Sequence, residues 1–335
     1  MVTVQGRKAA IIGLASTHLG AAEAALLREN PPLGVILFAR NIGRPAQLRT
    51  LTADIRDILG EATPILVDQE GGRVARLRAP DWPKFPTAAS FEGRPAAAAH
   101  ANAALIGLEC RAMGLDVVCA PVLDLRLPEA HGVIGDRAFS AEPSEVTRLG
   151  REYLRGLQAA GCVPVIKHIP GHGRALADSH LELPRVNATR EEMAQDCLPF
   201  AALASLGAWA MTAHILYDAM DAELPATLSP KVISRVIRGA IGFGGFLISD
   251  DLAMKALSGR PAALAQASLA AGCDAVLHCT GEIDETAALL GTCPWLTDAA
   301  WHRLEEARDA TAAHRESLDP AALMAQRDAG LVRAA

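Results

Sequence analysis

The chain has 335 residues, half of them hydrophobic and 21% charged, which is a globular composition and excludes a disordered chain. Its formal net charge of -6, with no run of five basic residues, argues against nucleic acid or an anionic membrane as partner. The length suggests two domains, but α/β barrels often exceed that rule as one.

In chain order, the apolar stretch within Met1–Leu14 is too short for a signal peptide and reads as a first strand, Ala9–Leu14. No run of 18 apolar residues follows, so no membrane span is expected and the location reads as cytoplasmic. Strands are next expected at Gly34–Phe38 and Pro64–Asp68, separated by a helix over Arg44–Leu59. The longest gap between strands, Gly71–Leu115, holds a loop at Ala79–Pro86 that should decorate one end of the fold and a helix over Pro95–Met113. A strand at Asp116–Ala120 precedes a helix over Pro143–Ala160, with Pro143 in its first turn. After the strand Pro164–His168, Thr189 and Glu192 form a capping-box signal for a helix over Thr189–Leu206. Strands at Ala208–His214, Gly245–Asp250 and Ala275–His278 alternate with helices over Ser229–Ile241 and Pro261–Ala271. The tail from Asp319 reads as a last helix that frays at its end.

Several of these strands are nearly continuous hydrophobic runs, as parallel strands buried on both faces are. The βαβα alternation implies a parallel sheet covered by helices. Eight strands favour a single (β/α)8 barrel over an open doubly wound sheet, and no dinucleotide or phosphate-binding glycine loop supports the latter. The seven cysteines are odd in number and dispersed, so they read as buried thiols rather than disulfides or a zinc site.

In a parallel barrel the active site lies at the carboxyl ends of the strands. Asp68, Asp124, Lys167-His168, His214 and Asp250-Asp251 all stand at or just after strand ends. One such group alone marks where the chain reaches solvent; five of eight ends mark a rim built for chemistry. The densest segment is Lys167-His-Ile-Pro-Gly-His-Gly173, followed by Asp178-Ser-His180. His172 reads as a satisfied loop histidine. His168, His172 and His180 could approach one metal ion, but the Pro and Gly residues break helical ligand spacing and Lys167 would repel a cation. Asp178 and His180, two apart in a loop, suit a carboxylate that orients an imidazole for proton transfer.

These motifs resemble those of glycoside hydrolase family 3, and most closely its single-domain bacterial β-N-acetylglucosaminidases (β-hexosaminidases) of cell-wall recycling. The resemblance rests on Val67-Asp-Gln-Glu-Gly-Gly-Arg-Val74, Gly135-Asp-Arg-Ala-Phe139, the Lys167–Gly173 and Asp178–His180 segments, and Ser249-Asp-Asp-Leu-Ala-Met254. It implies a (β/α)8 barrel and a retaining mechanism through a covalent glycosyl-enzyme. By the same resemblance Asp250 is the nucleophile, His180 the general acid/base and Asp178 its partner, while Asp68, Arg76, Arg137, Lys167 and His168 hold the terminal sugar. Two catalytic carboxylates in a retaining enzyme stand about 5–5.5 Å apart; here a histidine, with a reference value of about 6.5, replaces one. No cofactor or metal is implied. The substrate implied is an N-acetylglucosaminyl-anhydro-muramoyl peptide of peptidoglycan recycling, which touches cell-wall biogenesis, cell shape and division. The protein itself is expected as a monomer or weak oligomer without nucleic-acid or membrane partners.

Two points depart from the resemblance or are undecided by pattern. Ile169 stands where the family often has Phe, a mild apolar exchange. The strand before Asp250 and Asp251 is apolar on both faces, so periodicity does not choose between the two aspartates; the resemblance selects Asp250 and leaves Asp251 a structural role, such as capping the next helix.

Overall fold

The computed structural model describes residues 6–332. The apolar start and the fraying end of the tail read from the sequence lie partly outside that range. The first barrel strand, β1 (Lys8–Gly13), is followed by α1 (Ala21–Glu29), β2 (Pro32–Leu37), α2 (Pro45–Leu59), β3 (Ile65–Val67), α3 (Ala96–Ala112), β4 (Val117–Val118), α4 (Pro143–Ala159) and β5 (Val163–Ile169). Then come β6 (Arg185–Val186), α5 (Arg190–Leu203), β7 (Trp209–Thr212), β8 (Leu216–Tyr217), β9 (Leu247–Asp251), α6 (Pro261–Ala271), β10 (Ala275–His278), α7 (Ile283–Thr292), α8 (Asp298–Ala313) and α9 (Pro320–Leu331).

Eight strands close into a barrel in the order β1-β10-β9-β7-β5-β4-β3-β2, every pair parallel. They are the eight expected strands, with ends shifted by a few residues. The short strands β6 and β8 form a separate parallel pair, Arg185 opposite Leu216 and Val186 opposite Tyr217, which the pattern reading did not contain. The helix expected over Ser229–Ile241 is wound as a π-helix over Val232–Ala240. Helix α1 escaped the reading because its nine residues bury one side chain, Leu27, too few to make a stripe.

Strand parity divides the core in two. Val35, Leu37, Ile65, Val67, Val118, Ile166, Ala210, Leu247 and Val276 face the helices. Ile11, Ile36, Leu66, Val117, Val165, Trp209, Met211, Phe246, Ile248, Ala275 and Leu277 fill the barrel interior. Leu296, Ala300, Leu304 and Ala307 join that interior group. They plug the end where the strands begin, since the Ala9 amide donates to Pro294 and that of Leu296 to Arg7. The carboxyl ends of the strands are left as the open mouth.

Local signals act where they were read. Thr189 accepts the Glu192 amide at 3.1 Å while Glu192 accepts the Thr189 amide at 2.8 Å, so both orphan donors at the start of α5 are satisfied. Pro143 occupies the first turn of α4, and the Ser140 hydroxyl accepts the Glu142 amide at 3.1 Å. Asp319 caps α9 through the Ala321 amide, and Leu323 is buried.

Candidate active site

Three of the expected side chains continue the inward rows of their strands. Lys167 follows Val163 and Val165 on β5, Asp68 follows Leu66 beyond β3, and Asp250 follows Ile248 on β9 and Phe246 just before it. All three line one cavity of about 340 Å³ at the barrel mouth. Arg76, Arg137, His168, Asp178 and His180 line it too, so the structure gathers all eight expected residues in one place. Phe38, Arg73 and Met254 also border it.

Its charged wall is an ion-pair chain. Lys167 Nζ lies 2.8 Å from Asp68 Oδ1 and 2.6 Å from Glu70 Oε1. Arg137 grips Glu70 with a two-pronged contact, both N–H···O distances being 2.8 Å. Arg76 reaches Asp68 Oδ2 at 3.3 Å. Burial alone would raise both carboxyls. For Glu70 the facing Arg137 and Lys167, and for Asp68 the facing Lys167 and Arg76, overcome it and hold each below its ordinary range. Burial likewise opposes the Lys167 charge, but the two carboxylates raise its pKa.

Glu70 was missed by reading strand ends alone, because it lies three residues past β3. Its signal was its place inside the Val67–Val74 motif. Gln69 explains the geometry of that motif: its side-chain oxygen accepts the amides of Arg76 and Leu77 at 2.7 and 3.0 Å. This folds the loop back and delivers Arg76 to the cavity. The expected Ala79–Pro86 loop braces the same turn, with Trp82 and Phe85 buried and the Gly72 amide donating to Phe85. At Gly71 (φ +97°) a side chain would place Cβ 2.3 Å from the Pro86 carbonyl oxygen, so only glycine fits.

A second buried cluster surrounds Asp124. Its carboxylate meets His168 Nδ1 at 2.7 Å and accepts the backbone amides of His168 and His172 at 3.1 and 2.7 Å. Burial works against this charge, but His168 and His172 bring the Asp124 carboxyl below its ordinary value. Asp124 thus orients His168 from beneath.

Asp250 accepts the Asp251 amide at 2.8 Å. Burial would raise its carboxyl, yet His214, His168, the Asp251 amide and Lys167 together lower it. The group is therefore an ionised carboxylate at neutral pH, facing the cavity at the barrel mouth. His214 does not reach into chemistry of its own: its ring nitrogens pair with Thr227 Oγ1 at 2.7 Å and the Asp251 carbonyl at 2.9 Å.

Asp251 does not cap a helix. One of its oxygens accepts the amides of Ala253 and Cys279, both at 3.0 Å, which ties the turn after β9 to the end of β10. Helix α6 begins only at Pro261, too far along the chain for Asp251 to serve as its cap.

The Asp178–His180 pair forms as read. Asp178 Oδ1 meets His180 Nδ1 at 2.8 Å and also accepts the His180 amide at 2.9 Å. That leaves Nε2 of His180 outside the pair, with the side chain 63% exposed. Burial, offset by the His180 amide and imidazole, leaves the Asp178 carboxyl below its ordinary value. His172 is buried, its Nε2 3.2 Å from Ser179 Oγ. Among the described residues no three His, Cys, Asp or Glu are grouped to hold a metal ion. His168 and His180 are each engaged by their own carboxylate instead.

This geometry coincides with a family match. Residues 7–299 fit the model described as the glycosyl hydrolase family 3 N terminal domain. The chain belongs to glycosyl hydrolase family 3. As a family 3 member it is a glycoside hydrolase. It is 42% identical over 280 residues to a beta-hexosaminidase of Alkalilimnicola ehrlichii, covering 80% of each chain. Among solved structures, it is similar to native NagZ from Neisseria gonorrhoeae, with a TM-score of 0.86 and 30% identity over 98% of this chain and 99% of that one. The same NagZ in complex with N-trifluoroacetyl-D-glucosamine matches at a TM-score of 0.86 and 32% identity, covering 97% of this chain and 98% of the other. The family 3 fold therefore extends over nearly the whole chain.

Proposed function

We propose that this family 3 enzyme is a retaining exo-β-N-acetylglucosaminidase that removes terminal N-acetylglucosamine from muropeptides of peptidoglycan recycling. The observation that carries the reading is Asp250, an ionised, inward-facing carboxylate in the cavity that the Asp178–His180 pair also borders. The beta-hexosaminidase of Alkalilimnicola ehrlichii and the sugar complex of the gonococcal NagZ support the substrate class.

In this mechanism a carboxylate oxygen of Asp250 attacks the anomeric carbon as the bond to the leaving oxygen breaks. His180 delivers its proton to that oxygen, with Asp178 holding the other ring nitrogen. The covalent glycosyl-enzyme is then opened by water. His180 takes a proton from the water, whose oxygen bonds to the anomeric carbon and releases the Asp250 carboxylate, with net retention. Asp68, Arg76, Arg137, Lys167 and His168 hold the terminal sugar. The Lys167 and Arg137 donors and the Asp68 acceptor suit sugar hydroxyls, and the ion pairs Lys167–Asp68, Lys167–Glu70 and Arg137–Glu70 fix them before substrate arrives. No helix among the described residues is long and apolar enough to cross a membrane. The reading puts the enzyme's action on wall fragments released into the cytoplasm.

The test compares an aryl β-N-acetylglucosaminide, the matching β-glucoside and an N-acetylglucosaminyl-anhydro-muramoyl peptide. The first and third should be cleaved and the glucoside should be poor. A folded enzyme that ignores both N-acetylglucosaminides sinks the reading; one that prefers the glucoside is a β-glucosidase. The first sugar anomer seen by NMR should be β, and an α product would rule out retention.

A further inference from the structure

Between β5 and β6, the stretch Leu176–Leu183 carries the half-buried Asp178 and the exposed His180. Leu176 is 70% exposed and Leu181 66% exposed, and the His180 side chain is 63% exposed. Such a stretch gains little from apolar burial to fix its position. Ser179 is the exception. It lies between the two members of the pair and is 3% exposed.

Two contacts hold it. Its hydroxyl lies 3.2 Å from Nε2 of the buried His172, and its carbonyl accepts the Ala256 amide at 3.2 Å. His172 is itself fixed, because its amide donates to Asp124 at 2.7 Å, and Asp124 also holds His168. Ala256 lies in the turn that follows Asp250 and Asp251. One residue thus joins the exposed pair to the floor that orients His168 and to the strand that presents Asp250. Burial and the neighbouring His168 push the His172 imidazole down to about 4, so it is neutral at pH 7 and the contact does not switch with protonation there. The remaining attachments flank that stretch, and the first is Ala175, which is fully buried and whose carbonyl accepts the His131 amide at 2.9 Å. Arg174 meets Asp196 of α5 at 2.7 Å, and β6 pairs with β8.

We infer that Ser179 and His172 are positioning residues: their hydrogen bond latches the loop so that Asp178 and His180 are held over the sugar cavity facing Asp250. The inference rests on the proposed role of His180 as the proton donor. A latch of this kind acts on the step that needs the acid, and it leaves the terminal sugar's own contacts alone. Its loss should resemble a diluted loss of His180. The effect should be large where the leaving group needs a proton and small where it does not. A purely structural role would lower stability and cut all substrates alike.

The experiment compares wild type, His180→Ala, Ser179→Ala and Ser179→Thr on two N-acetylglucosaminides, one with an activated nitrophenyl leaving group and one with an alkyl or sugar leaving group. His180→Ala supplies the pattern of a missing acid. Ser179→Ala should lose roughly ten- to a hundredfold in kcat on the poor leaving group and about threefold or less on the activated one. Inhibition by free N-acetylglucosamine should stay within about twofold of wild type, and Ser179→Thr, which restores a hydroxyl, should recover most of the loss. His172→Phe, which keeps a ring in the buried site but removes Nε2, should show the same bias as Ser179→Ala, and thermal unfolding of each variant shows that it is folded. Equal losses on both substrates, or wild-type rates in Ser179→Ala beside the expected bias in His180→Ala, overturn the latch and leave the acid assignment standing. Absence of that bias in His180→Ala overturns the acid assignment and the latch together.

Discussion

Glu70 and Lys167 lie 97 residues apart in the chain and 2.6 Å apart in the barrel mouth, with both side chains almost wholly buried. Arg137 takes both oxygens of the same Glu70. The donors proposed to hold the sugar are thus set by a carboxylate lying behind them.

Removing that charge should cost both stability and binding. Glu70→Gln leaves Lys167 and Arg137 buried with a neutral partner, and breaking a buried pair in this way costs about 3–5 kcal/mol. Chemical denaturation should show a loss near the low end, since Asp68 still pairs with Lys167. KM for the aryl N-acetylglucosaminide should rise more than kcat falls. A variant with wild-type stability and KM would show that the ion-pair chain is incidental.

Asp250 and Asp251 should separate cleanly. Asp250→Ala should lower turnover by roughly 10⁴-fold or more while calorimetry still detects binding of N-acetylglucosamine. Asp251→Ala frees the amides of Ala253 and Cys279. It should lower stability by about 1–2 kcal/mol and keep turnover within roughly tenfold of wild type. The reverse ranking would move the nucleophile to Asp251.

His172 makes the stability pH-dependent. Its imidazole falls from an ordinary value near 6.5 to about 4 in the folded chain, through burial and the neighbouring His168. Below pH 6.5 the unfolded chain binds a proton that the folded chain refuses, so stability falls as pH drops from about 6.5 to about 4. The contribution is on the order of 3 kcal/mol. Urea unfolding between pH 7 and pH 4.5 should show a shallower slope in His172→Gln than in wild type. Parallel curves would contradict the assignment of this slope to His172.

Chelation should leave catalysis untouched. EDTA treatment followed by gel filtration is expected to preserve kcat, because His168 and His180 are each paired with a carboxylate. Activity lost to EDTA and restored by zinc would instead favour a metal site built from His168, His172 and His180.

Sequence by itself determined the barrel strands and the local capping. Continuous apolar runs such as Val163–Ile166 and Leu247–Ile248 are buried on both faces wherever they sit, and the Thr189–Glu192 capping box needs only neighbours in the chain. The motif residues at strand ends were legible because parallel strands all finish at one rim. Tertiary structure alone decided what depended on partners distant in sequence. Strand β9 is apolar on both faces, and only barrel closure shows that Phe246, Ile248 and Asp250 point inward. Glu70 gains its meaning from Arg137 and Lys167, Asp124 from His168 and His172, and Asp251 from Cys279. Periodicity reports which faces are buried, whereas pairing across the barrel depends on register and closure, which no local pattern carries.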